Sequence, residues 1–262
     1  RRLWQYHPAT DARRQWALPD RPGCLAEGAD GQLLLALAGS LQRMDLDTAN
    51  GEPTLHWLAD VQPEVASTRS NDGRTDRAGN LVFGTMNEDP AQAPLGRFYQ
   101  YSARHGLRDL GLPGVVIPNA ICFSADGGTL YYCDSVRPEL WCCDYDADSA
   151  RCRHPRRFAS LESPHWEPDG AIIDAEGGLW NAQWRASRVV RYGADGRIDR
   201  ILPMPVKNPT CVAFGGPDLT RLMVTSSRLD YGPDELAAAP HAGSVFAVDT
   251  GIAGLPDTPF RW

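Results

Sequence analysis

The chain has 262 residues, of which 42% are hydrophobic and 23% charged, so it is long enough to bury a core without disulfides or a structural metal. Its formal net charge of −7 argues against nucleic acid or an anionic membrane surface as a partner. No apolar run reaches the ~20 residues that span a bilayer, and no signal peptide is visible.

The cysteines indicate a reducing compartment. There are seven of them, an odd number, and no two have the Cys-x-x-C spacing. This pattern is typical of reduced, mostly buried thiols and argues against a disulfide framework or a zinc site. We therefore expect a cytoplasmic protein. We also expect it to be a monomer or a weak dimer. The adjacent pair Cys142 and Cys143 admits a redox role, with alternating strand positions as the plainer interpretation.

Five segments in chain order share one pattern, an acidic turn with glycine followed by a leucine and an apolar strand. These segments are ADGQLLLAL, RAGNLVFGTM, ADGGTLYYCDS, AEGGLWNAQW and, more loosely, PDLTRLMVTSS. Their aligned leucines are residues 33, 81, 130, 179 and 222, which are 48, 49, 49 and 43 positions apart. A period of this size, with about four short strands in each repeat, is typical of β-propeller blades.

Each of these strands is followed by a second kind of segment, apolar and alternating, and a sixth copy of that kind, RRLWQYHPATD, begins the chain. We therefore predict one all-β domain over residues 1–262, a six-bladed β-propeller whose first blade is incomplete at the N-terminus. The first residue is Arg1, and the repeat period leads us to expect that roughly 30–40 residues are missing before it. The alternative is a closed five-bladed ring, which would leave the first segment unexplained.

Polar residues recur at one phase of the repeat, eight positions before the turn glycine. The residues at this phase are Gly23, Asn71, Asn119, Asp169 and, judged by its preceding proline, Thr210. Asn71-Asp72-Gly73 looks like a hairpin turn, but only two residues separate it from the turn at 76–79. We therefore predict that Asn71 lies at the channel end of an inner strand.

Residues at one phase of successive inner strands are expected to form a ring around the propeller axis. Converging oxygen donors suit a hard divalent cation such as Ca²⁺, Mg²⁺ or Mn²⁺. The alternative interpretation is that these residues only cap strand ends.

The segments RSNDGRTDRAGNLVFGTM, IPNAICFSADGGTLYYCDS, EPDGAIIDAEGGLWNAQW and PTCVAFGGPDLTRLMVTSS resemble successive motifs of the regucalcin/gluconolactonase (senescence marker protein) family. The tail DELAAAPHAGSVFAVDTGIAGLP resembles the end of its bacterial sugar-lactonase members. The resemblance covers essentially the whole chain. It implies a six-bladed propeller with one divalent metal in the channel, and a hydrolase that acts on carboxylic esters, namely sugar-acid lactones.

The resemblance implies that Asn119 and Asp169 are metal ligands. The family's third ligand is a glutamate in a Glu-Gly-Pro motif, which we expect in the missing half-blade. Glu27-Gly28-Ala29 looks similar but lies in the next blade, so the role is not transferred to it. Ca²⁺ is the first expectation for the metal, with Zn²⁺, Mn²⁺ or Mg²⁺ as alternatives.

The substrate-binding residues are also implied by the resemblance. Arg69 and Asn71 match an Arg-x-Asn-Asp-Gly motif whose arginine and asparagine contact substrate, while Ser70 departs from the bulkier residue that is usual there. Glu88 and Asp89 are alternatives for an acid that contacts substrate hydroxyls. The other possibilities are an ion pair for Arg69 and solvated loop positions for the two acids.

The implied reaction is metal-dependent hydrolysis of a sugar-acid (aldono-) lactone, a small-molecule partner, to the aldonic acid. The metal would polarise the lactone carbonyl and activate water, and Asp169 would be the catalytic group that accepts the water's proton. Arg69 and Asn71 would hold hydroxyls or stabilise oxyanion charge. The alternative is a non-enzymatic calcium-binding or interaction-scaffold propeller.

Overall fold

The computed structural model describes residues 1–46 and 52–262. Over these residues it contains 21 strands and one short helix, which confirms the all-β prediction. The turn expected at the end of LQRMDLDTANG, after Leu46, lies outside the described residues. Within the described part of the chain, no helix is long and apolar enough to cross a membrane.

The described chain divides into two compact units. The first unit comprises Arg1–Thr75, Gly79–Val116 and Pro259–Trp262. Its strands are β1 (Arg2–His7), β2 (Ala12–Ala17), β3 (Pro22–Glu27), β4 (Leu33–Leu37), β5 (Ser40–Leu46), β6 (Pro53–Asp60), β7 (Thr68–Thr75), β8 (Leu81–Asn87), β9 (Phe98–Ser102) and β10 (Gly106–Asp109). They form a two-stranded sheet β1-β2 and two four-stranded sheets, β3-β4-β5-β6 and β7-β8-β9-β10.

The second unit comprises Asp76–Ala78 and Ile117–Thr258. Its elements are β11 (Pro118–Phe123), β12 (Thr129–Asp134), β13 (Glu139–Asp146), β14 (Arg151–Ser160), β15 (Glu167–Ile173), β16 (Leu179–Trp184), β17 (Arg188–Tyr192), β18 (Ile198–Pro203), β19 (Pro209–Gly215), β20 (Arg221–Ser226), α1 (Pro233–Ala238) and β21 (Val245–Asp249). They form the four-stranded sheets β11-β12-β13-β14 and β15-β16-β17-β18 and the three-stranded sheet β19-β20-β21.

Every sheet is antiparallel and takes its strands in sequence order, which is the strand pattern of propeller blades. The glycines of the first four predicted turns have positive φ angles. They are Gly31 (+74°), Gly79 (+86°), Gly127 (+76°) and Gly177 (+82°). Glycine adopts this conformation without the steric cost of a Cβ, so the repeated glycine fixes where each strand turns back. The prediction that residues 76–79, and not Asn71-Asp72-Gly73, form the turn is confirmed, since Asn71 lies within β7.

Neighbouring sheets pack face to face in each unit. In the first unit, Leu34 and Leu41 of one sheet pack with Phe83 and Tyr99 of the next. In the second unit, two clusters fill the spaces on either side of the sheet that contains β15, and Trp180 lies fully buried in one of them. Burying such side chains stabilises the fold by roughly 1.5–3 kcal/mol each for the aliphatic and phenyl groups.

The second unit also buries an ion pair. Arg191 Nε donates to Asp174 Oδ2 at 2.7 Å, and the Asp174 side chain is completely inaccessible to solvent. Trp180 Nε1 donates to the same oxygen at 2.8 Å. The buried carboxylate is therefore matched by a cation and a neutral donor, as a buried charge requires.

None of the seven cysteines, all of which lie in the described part of the chain, forms a disulfide, as the sequence predicts. Burial raises the pKa of the Cys142 thiol, and a hydrogen bond with Cys152, together with burial, raises the pKa of Cys143. Thiols held protonated in this way are poor nucleophiles, which favours the structural interpretation of the adjacent pair.

Candidate functional site

The residues at the repeated polar phase share one backbone feature. In each of five sheets, the pairing of the first two strands shifts register at this phase. The shifts lie between Pro22 and Cys24, Ser70 and Gly73, Asn119 and Cys122, Pro168 and Ala171, and Pro209 and Val212. Four of the five residues at this phase lie between the two paired residues that bound a shift. The fifth, Asn119, is the last paired residue before a shift. Such bulges turn a side chain out of the regular pleat and are common beside functional sites.

In the second unit, Asn119 and Asp169 stand on β11 and β15, the first strands of neighbouring sheets that pack against each other. Asn119 Nδ2 donates to Ser135 Oγ at 2.8 Å, and Ser135 Oγ donates to the carbonyl oxygen of Pro168 at 2.6 Å. Asn119 and Ser135 are both buried. Because the amide nitrogen is directed at Ser135, the other end of the amide presents its oxygen, Oδ1.

Asp169 is half-buried, and both polar groups of the peptide bond that follows it are hydrogen-bonded. Its Oδ1 accepts the N–H of Gly170 at 2.9 Å, and its carbonyl oxygen accepts Asn181 Nδ2 at 2.8 Å. A Cβ on Gly170 would lie 2.6 Å from Cys211 Sγ, so glycine lets β19 approach β15 closely beside the aspartate. The backbone that carries the Asp169 carboxylate is therefore held in place by these contacts.

The donors in the second unit fit a hard cation. An amide oxygen and a carboxylate are oxygen ligands of the kind that Ca²⁺, Mg²⁺ and Mn²⁺ prefer. Among the described residues, no group of three or more His, Cys, Asp or Glu could hold a metal. The amide oxygen of Asn119 and the carboxylate of Asp169 suit an oxygen-bound ion, since neither is a thiolate or an imidazole ligand.

In the first unit, Arg69, Asn71 and Glu88 form one hydrogen-bonded network. Arg69 Nε donates to Glu88 Oε1 at 2.9 Å, and Arg69 Nη1 donates to Asn71 Oδ1 at 3.2 Å and to the Ser70 carbonyl at 2.9 Å. Arg69 thus forms the ion pair that the sequence left open as its alternative role. Its bond to Asn71 orients that amide so that the nitrogen points away from the guanidinium.

Arg21 also belongs to this network, through Glu88. Its Nη1 and Nη2 donate to Glu88 Oε1 and Oε2 at 2.7 and 2.6 Å. The hydrogen bond from Arg21, followed by that from Arg69, outweighs partial burial and lowers the pKa of Glu88 to about 2. Glu88 is therefore an anion at neutral pH, and two guanidinium groups share it, which leaves one net positive charge on the trio.

Asp89, the other candidate acid, has a different environment. Its Oδ1 accepts the N–H of Ala91 at 2.8 Å, and its own N–H donates to Asn87 Oδ1 at 3.1 Å. This carboxylate shapes an exposed turn. The structure thus brings together three of the four predicted substrate residues and places Asp89 outside their network.

Sequence reasoning missed two residues, Arg21 and Ser135. Arg21 stands two positions before Gly23, at the same offset by which Arg69 precedes Asn71, so the repeat phase contained the signal. Ser135 gave no signal, because its importance comes from contacts with residues 16 and 33 positions away.

The chain is similar to known proteins over most of its length. A family model described as the SMP-30/gluconolactonase/LRE-like region matches residues 1–228. The L-arabinolactonase of Azospirillum brasilense is 41% identical over 262 aligned positions, which cover 98% of this chain and 84% of that protein. The 6-deoxy-6-sulfogluconolactonase of Pseudomonas putida is 31% identical, and the alignment covers 99% of this chain and 87% of that protein.

A solved structure supports the fold directly. It is described as a calcium-binding protein, regucalcin, from Agrobacterium tumefaciens strain C58. It matches with a TM-score of 0.91 and 33% identity, covering 100% of this chain and 87% of that one. The chain thus has an all-β propeller fold, in which the described residues form five sheets of three or four strands and the two-stranded sheet β1-β2.

Proposed function

Because the chain belongs to the SMP-30/gluconolactonase/LRE-like family, we propose that it is a lactonase that hydrolyses a sugar-acid lactone to the aldonic acid and depends on a divalent cation. Relatives named as lactonases support the reaction class. The observation that carries the cation dependence is the placement of Asn119 and Asp169 at register shifts on two packed strands, joined through Ser135.

We propose that Asn119 Oδ1 and the Asp169 carboxylate hold the cation. When bound, a divalent cation polarises a carbonyl group and makes a nearby water more acidic. Ca²⁺ is the first ion to test, because the regucalcin structure is described as calcium-binding. Zn²⁺, Mn²⁺ and Mg²⁺ remain the alternatives to compare.

The protein groups have distinct proposed roles. Asp169 accepts the proton of the attacking water, as a carboxylate within hydrogen-bond reach can do. The Arg69 guanidinium and the Asn71 amide bind substrate hydroxyls or the developing oxyanion, because hydrogen-bond donors already held in place stabilise charge that appears in the transition state. Glu88 holds Arg69 and is the preferred acid for a substrate hydroxyl, while Asp89 is the weaker candidate.

The substrate we propose first is L-arabinono-lactone. The support is the 41% identity to a protein named L-arabinolactonase along almost the whole chain. Galactono- and glucono-lactone are the natural comparisons, since they differ in size and hydroxyl placement. A cytoplasmic location and a monomeric or weakly dimeric state stay predictions.

We propose further that the propeller has six blades, with the hairpin β1–β2 as part of one. The segment RRLWQYHPATD matches the second kind of repeat segment, and β1 pairs with β2 antiparallel as β5 pairs with β6. A five-bladed ring would leave this hairpin outside the repeat pattern.

The experiment is a pH-indicator hydrolysis assay on the full-length protein. Each lactone is tested after EDTA treatment and again after adding back Ca²⁺, Zn²⁺, Mn²⁺ or Mg²⁺. We expect metal-dependent turnover that is lost in Asp169→Ala and Asn119→Ala. Tight metal binding without turnover of any five- or six-membered lactone would instead favour a non-enzymatic calcium-binding or scaffold protein.

A further inference from the structure

Ser135 lies where three segments of the second unit meet. It directly follows β12, and only 4% of its surface is exposed. Its N–H donates to the Ile117 carbonyl at 2.9 Å, just before β11. Its hydroxyl joins Asn119 on β11 to Pro168 on β15. One residue thus contacts both strands that carry the proposed cation ligands.

The two bonds of the hydroxyl have fixed directions. A serine hydroxyl has one proton, and that proton goes to the Pro168 carbonyl, which can only accept. Ser135 Oγ therefore accepts from Asn119, and the group facing it must be the amide nitrogen. Flipping the amide would set two acceptors against each other in a buried site, which is costly.

The bond to Pro168 acts on Asp169. The Pro168 carbonyl belongs to the peptide group that joins Pro168 to Asp169. A hydrogen bond to this oxygen therefore fixes the orientation of the peptide plane that precedes Asp169. The next carbonyl, that of Asp169 itself, is held by Asn181 Nδ2 at 2.8 Å. The peptide groups on both sides of Asp169 are therefore anchored by two side chains, Ser135 after β12 and Asn181 on β16.

We infer that Ser135 is a positioning residue of the cation site. Its hydroxyl binds the amide nitrogen of Asn119, so that the amide oxygen faces away from Ser135 and serves as a cation ligand, and it also fixes the backbone that carries Asp169. This inference rests on the proposed function. Ser135 is not a nucleophile, because its proton is donated to a backbone carbonyl, which cannot act as the base that an attacking serine needs.

The test compares Ser135→Ala with Thr250→Val. Thr250 is a matched control because it is also buried in the second unit, and its hydroxyl contacts the carbonyls of Thr220 and Ile252 instead of β11 or β15. Calcium affinity is measured by titration calorimetry on chelator-stripped, full-length protein. We expect Ser135→Ala to weaken it by about 10- to 100-fold, the usual effect of losing a partner that orients a ligand, and Thr250→Val to leave it unchanged.

A double-mutant cycle with Asn119→Asp distinguishes a lost orientation of the Asn119 amide from a general disruption of the cation site. A carboxylate has two equivalent oxygens, so it needs no partner to choose which end faces the ion. We therefore expect Ser135→Ala to cost much less calcium affinity in the Asn119→Asp background than in the native one. A second readout needs no metal: in the metal-free protein, the side-chain amide protons of Asn119 should exchange with solvent faster in Ser135→Ala.

The outcomes separate this inference from the proposed function. If the unaltered protein binds calcium and hydrolyses lactone, and Ser135→Ala binds equally well, the inference is wrong and the proposed function stands. Equal losses in Ser135→Ala and Thr250→Val, or equal losses in both Asn119 backgrounds, also overturn it. If the unaltered protein neither binds a cation nor hydrolyses a lactone, the proposed function fails and this inference fails with it.

Discussion

Arg21 holds both oxygens of the Glu88 carboxylate, with hydrogen bonds of 2.7 and 2.6 Å, and shares Oε1 with Arg69. Two-point pairing of a guanidinium with a carboxylate adds direction as well as attraction. Arg69 is the least exposed of the three side chains. It is oriented by Glu88, and Glu88 is in turn oriented by Arg21. Arg21 acts on the proposed substrate residues without being one of them.

The first prediction concerns stability and pH. The pKa of Glu88 is about 2 in the folded protein, below the ordinary value of 4.5, so its stabilising effect is full above about pH 4.5 and is lost as pH falls toward 2. Arg21→Ala should therefore destabilise the protein by about 0.2–1 kcal/mol at pH 7, because the pair is partly exposed. The loss should be smaller at pH 3.

Urea unfolding at both pH values measures this difference. Arg13→Ala is the control, since Arg13 pairs with Asp11 on an exposed hairpin. An equal loss at pH 7 and pH 3 in Arg21→Ala would show that Arg21 stabilises the protein by packing alone.

The second prediction distinguishes the two candidate acids. Glu88→Gln removes the anion shared by Arg21 and Arg69 while keeping its size, so both guanidinium groups lose their fixed positions. If the proposed function holds, KM for the preferred lactone should rise roughly tenfold, equivalent to about 1.4 kcal/mol of binding. Asp89→Asn should change KM little, because Asp89 serves a turn. The reverse order in steady-state kinetics would make Asp89 the substrate contact.

The third prediction concerns the close approach of β3 to β7. A Cβ on Gly23 would lie 2.6 Å from the carbonyl carbon and oxygen of Ser70, which are backbone atoms and cannot rotate away. Gly23→Ala should therefore destabilise the protein by about 1–3 kcal/mol, the usual cost of overpacking. Gly39→Ala is the matched control, because no atom lies within 4 Å of a Cβ there. Similar melting temperatures for the two variants would contradict the close approach.

The fourth prediction concerns the buried ion pair of the second unit. Arg191→Met should destabilise the protein by about 3–5 kcal/mol, because it leaves the Asp174 carboxylate buried without its cation. Arg197→Ala, which breaks an exposed pair with Asp195, should change stability by less than about 0.5 kcal/mol. Chemical denaturation of both variants at pH 7 gives the comparison, and comparable losses would argue against a special role for burial.

The parts of the fold that follow from local chemistry could be predicted from the sequence. The turns at Gly31, Gly79, Gly127 and Gly177 are predictable because a positive φ angle favours glycine, and all four glycines have one. The fifth sheet departs from the pattern of about four strands per repeat: its described residues form three, with α1 between β20 and β21.

The site was less predictable, because its organisation depends on contacts across strands. Counting from the turn glycine identifies Asn71, Asn119 and Asp169, but not the register shifts, which enclose Asn71 and Asp169 and begin directly after Asn119. Those shifts are a property of strand pairing, which one strand's sequence does not contain. Ser135 needed the structure for the same reason, since its two partners lie on strands that are distant in sequence.

The register shifts also bear on how this protein can evolve. A residue inside a shift takes no regular place in the strand ladder, so the sheet does not require a particular side chain there. An asparagine, an aspartate and a threonine already occupy this setting, with Gly23 restricted by its neighbours. New hydrogen-bond donors could be sampled at Asn71 and Thr210, which are not proposed cation ligands, at small cost to folding, which makes these two positions the first places to randomise when a new substrate is sought.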